Sequence, residues 1–432
     1  MGIVTVSQVA SEAKNASISL AGLKANLKNK VLIEMAEAIE NNIPSILKAN
    51  ITDLEFAKNE NIPAPLVSRL ALNENKVLDM VKGIRSVINL PDPVGHRTMA
   101  MEMAKDLILY RETCPIGVIG AIFESRPDAV SQISSLCLKS GNAVVLKGGS
   151  EAQNSNKIIV SLIQKAIKSI EGVPDSAIQM IETRSEVEDM LLEEKNIQLI
   201  IPRGSNDFVR YIQDNTRIPV LGHSEGICHI YIDDEADLEM AVEVSLDSKI
   251  QYPAACNALE TLLVNEAVAS KVLPILVGRC LDNNVVLLGC QETRRIISEM
   301  EAASAEDWDK EYTDLRLSIK LVSSLEEAIS LVNEHGSGHT DSIITENKDK
   351  AERFLNGVDS ASVMVNASTR FADGFRFGLG AEIGISTNKT HARGPVGLEG
   401  LVIYKYKLYG NGQTVSRYSG DNGLEFTHRR LD

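Results

Sequence analysis

Residues 114–150, CPIGVIGAIFESRPDAVSQISSLCLKSGNAVVLKGGS, contain the pattern that decides the fold. The segments 116–123 and 143–147 are short and apolar, and we interpret them as buried strands. The segment between them, 128–139, has apolar residues at helical spacing. A strand, a helix and a strand in this order predict a parallel βαβ unit, which binds ligands beyond the carboxyl ends of its strands.

This alternation extends along most of the chain. Toward the amino terminus, residues 4–89 have the spacing of consecutive amphipathic helices. Toward the carboxyl terminus, helix and strand candidates follow at 151–170, 178–181 and 197–202, and a second run after residue 241 has strand candidates at 258–264, 285–288, 318–322, 341–345 and 361–365. Residues 98–115 predict a hairpin that leaves the compact domain, and 400–410 predict a strand that adds to another sheet. We therefore predict an α/β protein with two α/β domains and small protruding elements.

The composition excludes several classes of protein. The 432 residues include 44 Lys and Arg against 59 Asp and Glu, a formal net charge of −15. Because nucleic acids and anionic lipids bind proteins through cations, we expect no nucleic-acid or membrane partner. No apolar run approaches the roughly 18 residues that a membrane span needs. The six cysteines contain no CxxC motif, which fits a reducing compartment, and we expect a cytosolic location.

Two strand-to-helix turns combine small residues with a cation. The chain has neither the GxGxxG nor the GxxxxGK[ST] pattern of common phosphate-binding loops. The first turn contains Lys147, Gly149 and Ser150, and the second contains Arg203, Gly204 and Ser205. Backbone N–H groups at such turns bind anions, and the cation stands beside them. Helix capping alone would explain either turn, whereas the two together favour a nucleotide site.

Among the cysteines, Cys256 has the sequence context of a nucleophile. It lies in a proline-containing loop, 251–257 (QYPAACN), ahead of a strand. The small residues Ala254 and Ala255 leave space for a substrate carbonyl, and the Cys256 N–H is placed to stabilise an oxyanion. A core position is the better interpretation for Cys137, Cys228 and Cys280, whereas Cys114 and Cys290 stay ambiguous.

The histidine patterns predict no metal site. His223, Cys228 and His229 have a ligand-like spacing, and so do His335 and His339. Glycines between the last two disfavour the helix that would align them. We therefore expect no metal in this protein.

Six longer segments resemble the gamma-glutamyl phosphate reductase family, also called the glutamate-5-semialdehyde dehydrogenases, of the aldehyde dehydrogenase superfamily. They are 114–156, 201–212 (IPRGSNDFVRYI), 223–241, 251–264 (QYPAACNALETLLV), 334–345 (EHGSGHTDSIIT) and 390–401 (THARGPVGLEGL). The resemblance extends from about residue 7 to residue 412.

The resemblance implies an aldehyde-dehydrogenase-like architecture in three parts. A Rossmann-type NADPH-binding domain would comprise 1–96 and 112–236 with a return segment at about 368–400, an α/β catalytic domain would comprise 237–367, and a small oligomerisation element would comprise 97–111 and 401–432. The implied partners are further copies of the chain, and the resemblance also raises a contact with glutamate 5-kinase.

The resemblance also implies a reaction. L-glutamyl 5-phosphate and NADPH would give L-glutamate 5-semialdehyde, phosphate and NADP⁺, the second step of proline biosynthesis, and the product would cyclise to 1-pyrroline-5-carboxylate. Cys256 matches the family's nucleophile, which would displace phosphate and form a thioester. Arg126 matches the position of an oxyanion-hole asparagine in oxidising relatives, and its guanidinium suits an anionic acyl phosphate.

Other site residues follow from their motif positions. Lys147 and the loop around Ser205 match superfamily positions that hold the ribose and phosphates of the cofactor, and Glu311 falls near the glutamate that binds the nicotinamide ribose. Together with the two turns, the expected cofactor site consists of Lys147, Gly149, Ser150, Arg203, Gly204, Ser205 and Glu311. The expected substrate contacts are Arg126, Asn257, His223 and Arg393.

One departure from the superfamily favours a reductase. Oxidising members carry a glutamate that activates the deacylating water, and Gly222 stands in the corresponding stretch here. A cycle that ends in hydride transfer or phosphate attack needs no such water. Two alternatives stay open: an oxidising aldehyde dehydrogenase for another small aldehyde, and a catalytically silent partner of glutamate 5-kinase. Oxidation that requires inorganic phosphate would exclude the oxidising dehydrogenase. Binding of NADPH would count against the silent partner.

Overall fold

A computed structural model describes residues 5–183, 185–223 and 225–431. The helices are α1 (Val6–Leu20), α2 (Ala25–Glu40), α3 (Ile43–Asn59), α4 (Ala64–Leu70), α5 (Glu74–Asn89), α6 (Asp128–Lys139), α7 (Gln153–Lys168), α8 (Ser185–Leu191), α9 (Asn206–Asp214), α10 (Leu238–Ile250), α11 (Glu266–Asp282), α12 (Gln291–Ile296), α13 (Leu325–His335) and α14 (Lys348–Gly357). Among these helices, none combines the length and the apolar character needed to cross a membrane.

The strands are β1 (Arg97–Ala104), β2 (Leu107–Pro115), β3 (Val118–Phe123), β4 (Ala143–Gly148), β5 (Ile178–Ile181), β6 (Leu199–Arg203), β7 (Cys228–Ile232), β8 (Leu259–Asn265), β9 (Val286–Gly289), β10 (Glu301–Ala302), β11 (Arg316–Val322), β12 (Thr340–Ile344), β13 (Ser362–Val365), β14 (Gly384–Ser386), β15 (Gly394–Val396), β16 (Val402–Tyr409) and β17 (Arg429–Arg430). The predicted α/β class is confirmed, because parallel sheets alternate with helices along most of these residues.

The first parallel sheet grows from the βαβ unit that the sequence predicts. Its strand order is β5-β4-β3-β6, and every residue of β3 and β4 is buried. Phe123 at the end of β3 pairs with Gly148 on one side and with Arg203 on the other. The carboxyl ends of β3, β4 and β6 therefore lie at one edge, where both strand-to-helix turns emerge.

The second parallel sheet has the strand order β10-β9-β11-β8-β7-β12-β13. Its strand β7 pairs with β8 on one side and β12 on the other. The first strand residue, Cys228, lies within the range 112–236 that the resemblance assigns to the first domain, and it pairs within the second sheet. A short buried strand carries no local signal of the sheet that it joins, because pairing is a long-range interaction. The domain division stays a prediction.

A third, antiparallel sheet has the order β16-β2-β1-β17. The predicted hairpin forms its centre, since β1 and β2 pair through a turn at Lys105 and Asp106. The predicted terminal strand, β16, pairs with β2 from Val402 to Tyr409. Large apolar side chains remain exposed along β16, namely Ile403, Tyr404, Tyr406, Leu408 and Tyr409.

The two largest hydrophobic cores of the described residues cover different parallel sheets. The first includes β3, β4 and the helices around them, and it also takes in Ile383, Val396 and Leu401 from the segment after β13. The second lies between α10, α11 and the strands β7, β8 and β11. The chain thus returns to the first sheet after completing the second.

A buried ion pair lies behind the Cys256 loop and supplies the first prediction. Lys249 Nζ of α10 donates to Glu260 Oε2 of β8 at 2.6 Å, and both side chains are fully buried. Burial raises the pKa of Glu260 to about 7. Without the lysine, Glu260 would take up a proton at neutral pH and remain buried without this hydrogen bond, so we expect Lys249→Met to lower the free energy of unfolding by about 1–3 kcal/mol in urea denaturation.

Two control variants separate this effect from a loss of packing. The double variant Lys249→Met/Glu260→Leu removes both charges and should cost less than the single variant. Lys82→Met breaks an ion pair with Asp79 whose side chains are 74% and 69% exposed, and it should cost less than about 1 kcal/mol. A single-variant loss no larger than that of Lys82→Met would contradict the prediction.

Candidate active site

The candidate site lies where the carboxyl edge of the first sheet meets the amino edge of the second. Cys256 precedes β8, His339 directly precedes β12, and the segment with His223 and Gly226 precedes β7. These three strands are parallel neighbours, so the residues ahead of them lie side by side. Cys256 Sγ and one ring nitrogen of each histidine all lie within 4.8 Å of one another.

The backbone of Cys256 is held by tight packing. Cys256 is half-buried, and its carbonyl accepts a hydrogen bond from Cys228 Sγ at 3.3 Å. A Cβ atom on Gly226 would lie 2.1 Å from the Cys256 carbonyl oxygen, so only glycine fits there. Within the described residues the Cys256 N–H donates to no protein group, which leaves it available to an oxyanion.

The two histidines present a ring nitrogen to this cysteine in different ways. His223 Nδ1 bonds to the Ile385 carbonyl at 2.8 Å. Because a carbonyl only accepts, Nδ1 carries the proton and Nε2 of the neutral ring keeps a lone pair. Burial lowers the pKa of His223 below its usual 6.5, so the ring is neutral at neutral pH. His339 is fully buried, and its Nε2 has no hydrogen-bond partner among the described residues.

His339 is a site residue that the sequence analysis considered only together with His335 and then set aside. Neither local histidine pattern forms a site: His335 Nδ1 bonds to Asp309 at 2.8 Å, and His229 Nδ1 bonds to Asp341 at 3.0 Å. The ring centroids of His223 and His339 are instead 4.8 Å apart. In the sequence, His339 stands directly ahead of a buried strand. This position indicates a site residue only once the strand order is known, because the order places that strand beside β7.

Arginines surround the thiol. A negative charge on Cys256 raises the pKa of Arg203 and that of Arg370. Both guanidinium groups therefore lie near the sulfur. Arg370 follows β13, and its Nε donates to Gln251 at 2.9 Å. Arg370 also escaped the sequence analysis, because a lone arginine in a loop has no distinctive spacing.

Arg126 is placed by a strained turn after β3. Ser125 has a φ of 48°, and both its N–H and its hydroxyl donate to Glu151 Oε1, at 2.6 and 2.8 Å. These two bonds offset the cost of the left-handed conformation in a residue other than glycine. In the described part of the chain the Arg126 guanidinium forms no hydrogen bond or ion pair. It is half-buried and lies close enough to Arg203 for the two charges to repel.

The first turn of the expected cofactor site lies at the carboxyl end of β4. Lys147 is buried there, and its Nζ donates to the Gly148 carbonyl at 2.7 Å. Gly149 and Ser150 follow and lead into α7. A small pocket beside this turn is lined by Gly148, Gly149, Gln153, Asn156, Met180, Ile181 and Glu182. Within the described residues, Asn156 Oδ1 is buried without a hydrogen-bond partner, which fits a polar group of a nucleotide in this pocket.

The second turn brings the two sheets together. Gly204 and Ser205 are exposed, and the Ser205 N–H donates to Glu124 Oε2 at 3.1 Å. Asn206 Nδ2 donates to Glu311 Oε2 at 2.7 Å, so Glu311 reaches this turn from the second sheet. The guanidinium of Arg203 turns to the protein interior, where it donates to Gln132 and to the Ile383 carbonyl at 3.0 and 2.9 Å.

Two expected substrate contacts have partners within the protein. Asn257 Nδ2 donates to the Ala372 carbonyl at 2.9 Å. The Arg393 guanidinium is bound to the carbonyl and the carboxylate of Asp359, at 2.9 and 3.1 Å. Both residues stay predicted contacts, and each would have to bind substrate in addition to its present partner.

Comparison with known proteins agrees with this geometry. A family model described as "Aldehyde dehydrogenase family" matches residues 4–286 and 317–381. A gamma-glutamyl phosphate reductase from Acetivibrio thermocellus is 54% identical over 430 residues, which cover 99% of each chain. The crystal structure of a gamma-glutamyl phosphate reductase from Thermotoga maritima is 42% identical, with a TM-score of 0.92 over 95% of this chain and 99% of that one. A glyceraldehyde-3-phosphate dehydrogenase from Methanocaldococcus jannaschii, complexed with NADP, shares the fold at 15% identity and a TM-score of 0.67, over 94% of each chain.

The contact between Gly226 and Cys256 supplies a second prediction. We expect Gly226→Ala to slow alkylation of Cys256 by iodoacetamide by roughly tenfold or more, because the added Cβ displaces the thiol from its histidines and cations. Mass spectrometry of tryptic peptides gives the rate at Cys256 separately from the other cysteines.

The matched control is Gly278→Ala, on α11. A Cβ atom at Gly278 meets nothing within 4 Å, and this variant should be alkylated at the unchanged rate. Circular dichroism confirms that both variants are folded. If folded Gly226→Ala protein were alkylated at the unchanged rate, the prediction would be wrong. The Cys256 backbone would then accommodate the added Cβ atom without moving the thiol.

Proposed function

The chain belongs to the gamma-glutamyl phosphate reductases of the aldehyde dehydrogenase family, and we propose that it reduces L-glutamyl 5-phosphate with NADPH through a thioester on Cys256. The products are L-glutamate 5-semialdehyde, phosphate and NADP⁺, and the semialdehyde cyclises to 1-pyrroline-5-carboxylate. The observation that carries this proposal is the half-buried Cys256, with a neutral histidine and two arginines around its thiol.

The first step is the formation of the thioester. His223 Nε2 has a free lone pair in the neutral ring and accepts the proton of the Cys256 thiol. The thiolate attacks the acyl carbon of the substrate, and the Cys256 N–H donates to the oxygen that becomes negative. The carbon–oxygen bond to phosphate then breaks, and phosphate leaves with its electron pair.

Arg126 has the properties required to bind that phosphate. Its guanidinium is half-buried, lacks a protein partner within the described residues and lies near Arg203. Two adjacent cations repel each other until an anion lies between them. Binding the acyl phosphate therefore removes a repulsion and adds charge-assisted hydrogen bonds.

The reduction step uses a nicotinamide cofactor bound at the two turns. When bound, the nicotinamide supplies a hydride to the thioester carbonyl carbon. Lys147, Gly149 and Ser150 would hold one part of the cofactor, and the turn of Gly204 and Ser205 with Glu311 would hold another. As the carbon–sulfur bond breaks, the thiolate of Cys256 is restored. The proposal includes a preference for NADPH over NADH. The positive charge of Lys147 at the first turn supports this preference.

An oxidising aldehyde dehydrogenase is the second candidate. Such an enzyme needs a base for the water that hydrolyses the thioester. Gly222 is buried and has no side chain to supply a base, and Pro202 Cγ is the nearest atom to its missing Cβ, at 3.5 Å. Phosphate attack on the thioester, the reverse of the proposed step, needs no such base.

Assembly into a homo-oligomer is also part of the proposal. The exposed apolar side chains of β16 support it, since a partner sheet or chain would cover them. A contact with glutamate 5-kinase and a cytosolic location stay predictions.

The role of Cys256 is tested in the reverse direction. We expect Cys256→Ala to abolish phosphate-dependent reduction of NADP⁺ by glutamate semialdehyde, measured by absorbance of NADPH, because the neighbouring Cys228 is fully buried and burial raises the pKa of its thiol. Cys290→Ala changes a cysteine of comparable exposure, the N-cap residue that precedes α12, and should retain activity.

The same assay separates the alternatives. Activity of the Cys256→Ala variant would refute the thioester. Oxidation by the unchanged protein without inorganic phosphate would indicate the oxidising dehydrogenase. If the protein bound no nicotinamide cofactor at all, the silent partner of the kinase would become the better interpretation.

The role of Arg126 is tested by comparing two affinities. Since a hydrogen bond to a charged group contributes about 1.5–3 kcal/mol, we expect Arg126→Ala to raise the KM for phosphate in the reverse assay by roughly tenfold or more. The Kd for NADPH, measured by fluorescence titration, should stay within about twofold, because within the described residues no hydrogen bond links Arg126 to either turn, and the nearby Arg203 guanidinium turns to the protein interior.

Arg353→Ala serves as the control for a lost positive charge. Arg353 lies on α14 with an exposed ion pair to Glu326, so its removal should change neither quantity. Equal losses of phosphate and NADPH affinity in Arg126→Ala would show that this residue acts on the whole site.

A further inference from the structure

The cluster of Cys256, His223 and His339 has the composition of a metal site. Cys256 Sγ and one ring nitrogen of each histidine lie within 4.8 Å of one another. We infer that this cluster binds a zinc ion, and that the bound ion blocks the nucleophile. This inference goes beyond the proposed reaction, which uses no metal.

Both histidines are prepared to act as ligands. The Ile385 carbonyl binds Nδ1 of His223, which fixes the ring and leaves Nε2 available. A backbone carbonyl on the second ring nitrogen is the usual outer support of a metal-bound histidine. Nδ1 of His339 lies 2.9 Å from the Thr340 hydroxyl, and its Nε2 is buried without a partner among the described residues.

The unpartnered nitrogen is the observation that points to a ligand. His339 is fully buried, and a buried nitrogen without a hydrogen bond carries an energetic cost. A metal ion at this point would satisfy it together with the Cys256 thiol.

The distances fit a small tetrahedral ion after a modest adjustment. With zinc–nitrogen bonds of about 2.0–2.1 Å and a zinc–sulfur bond of about 2.3 Å, ligand atoms in a tetrahedral site lie roughly 3.3–3.7 Å apart. The three atoms here would have to approach by up to about 1.1–1.5 Å, which rotation of the half-buried Cys256 side chain and small shifts of the two rings can provide. Cys256 is half-buried, so the site is accessible from solvent.

The ligand types select zinc over the common hard cations. One thiolate and two imidazoles suit Zn²⁺, whereas Mg²⁺ and Ca²⁺ prefer oxygen ligands. Three protein ligands leave a fourth position for water. On binding, the Cys256 thiol loses its proton to solvent and forms a sulfur–zinc bond, so the sulfur no longer attacks a substrate.

The test measures metal binding directly in the full chain, reduced and freed of metal. Titration with Co²⁺ should give one equivalent bound and a thiolate-to-cobalt charge-transfer absorption band, and Zn²⁺ should remove that band. Zn²⁺, but not Mg²⁺, should protect Cys256 from iodoacetamide while Cys290 stays reactive, and a chelator should reverse the protection.

Variants locate the ion. Since even outer supports of a metal change its affinity by about 10–100-fold, we expect His339→Gln and His223→Gln each to weaken Co²⁺ binding by at least about tenfold. His335→Gln, four residues from His339, should leave the affinity unchanged because His335 bonds to Asp309 outside the cluster.

Three results would overturn the inference. They are the absence of the charge-transfer band, a band of unchanged affinity in Cys256→Ala, and equal alkylation of Cys256 with and without Zn²⁺. The alkylation measurement needs no variant, so it decides the question even if a histidine variant fails to fold. None of these readouts depends on reductase activity, and a failure of the proposed reaction is therefore distinguishable from a failure of the metal site.

Discussion

Parallel pairing of β8, β7 and β12 is the constraint on which the site depends. Each of these strands begins at the same edge of the second sheet, and each is preceded by a site residue: Cys256, His223 or His339. The segments are far apart in the chain, and only the strand order makes them neighbours. Gly226 completes the arrangement, because its lack of a side chain lets the segment ahead of β7 contact the Cys256 backbone.

The sequence predicts those features that depend on local signals. Apolar runs alternating with helical spacing are sufficient for the helices and strands around residues 114–150, for the hairpin of β1 and β2 and for β16. Cys256 is recognisable because its loop has small neighbours and precedes a strand. Lys147 and Ser205 are recognisable because each belongs to a strand-to-helix turn, which the parallel sheet then places at its binding edge.

Features that depend on long-range pairing could not be predicted in this way. Hydrogen bonds to β8 and β12 decide which sheet β7 joins. The residues of β7 alone do not indicate these partners. His339 was compared with His335, its neighbour in sequence, whereas its neighbour in space is His223. Local spacing therefore did not bring His223 and His339 together, although the sequence analysis named both.

The net charge of −15 describes the chain as a whole, whereas the arginines make the candidate site locally positive. Burial and, after it, the charge of Arg126 lower the pKa of Arg203, while Glu382, Asp128 and Cys256 act in the opposite direction. The guanidinium of Arg126 has no protein partner within the described residues, so an anion bound there would be its counter-charge. An acidic exterior repels phosphates at long range, and salt screens that repulsion beyond about 8–10 Å. Inside this distance an anion beside Arg126 and Arg203 would relieve the repulsion between the two guanidinium groups. On the proposed role of Arg126, this local charge and not the net charge decides whether the protein binds an anionic substrate.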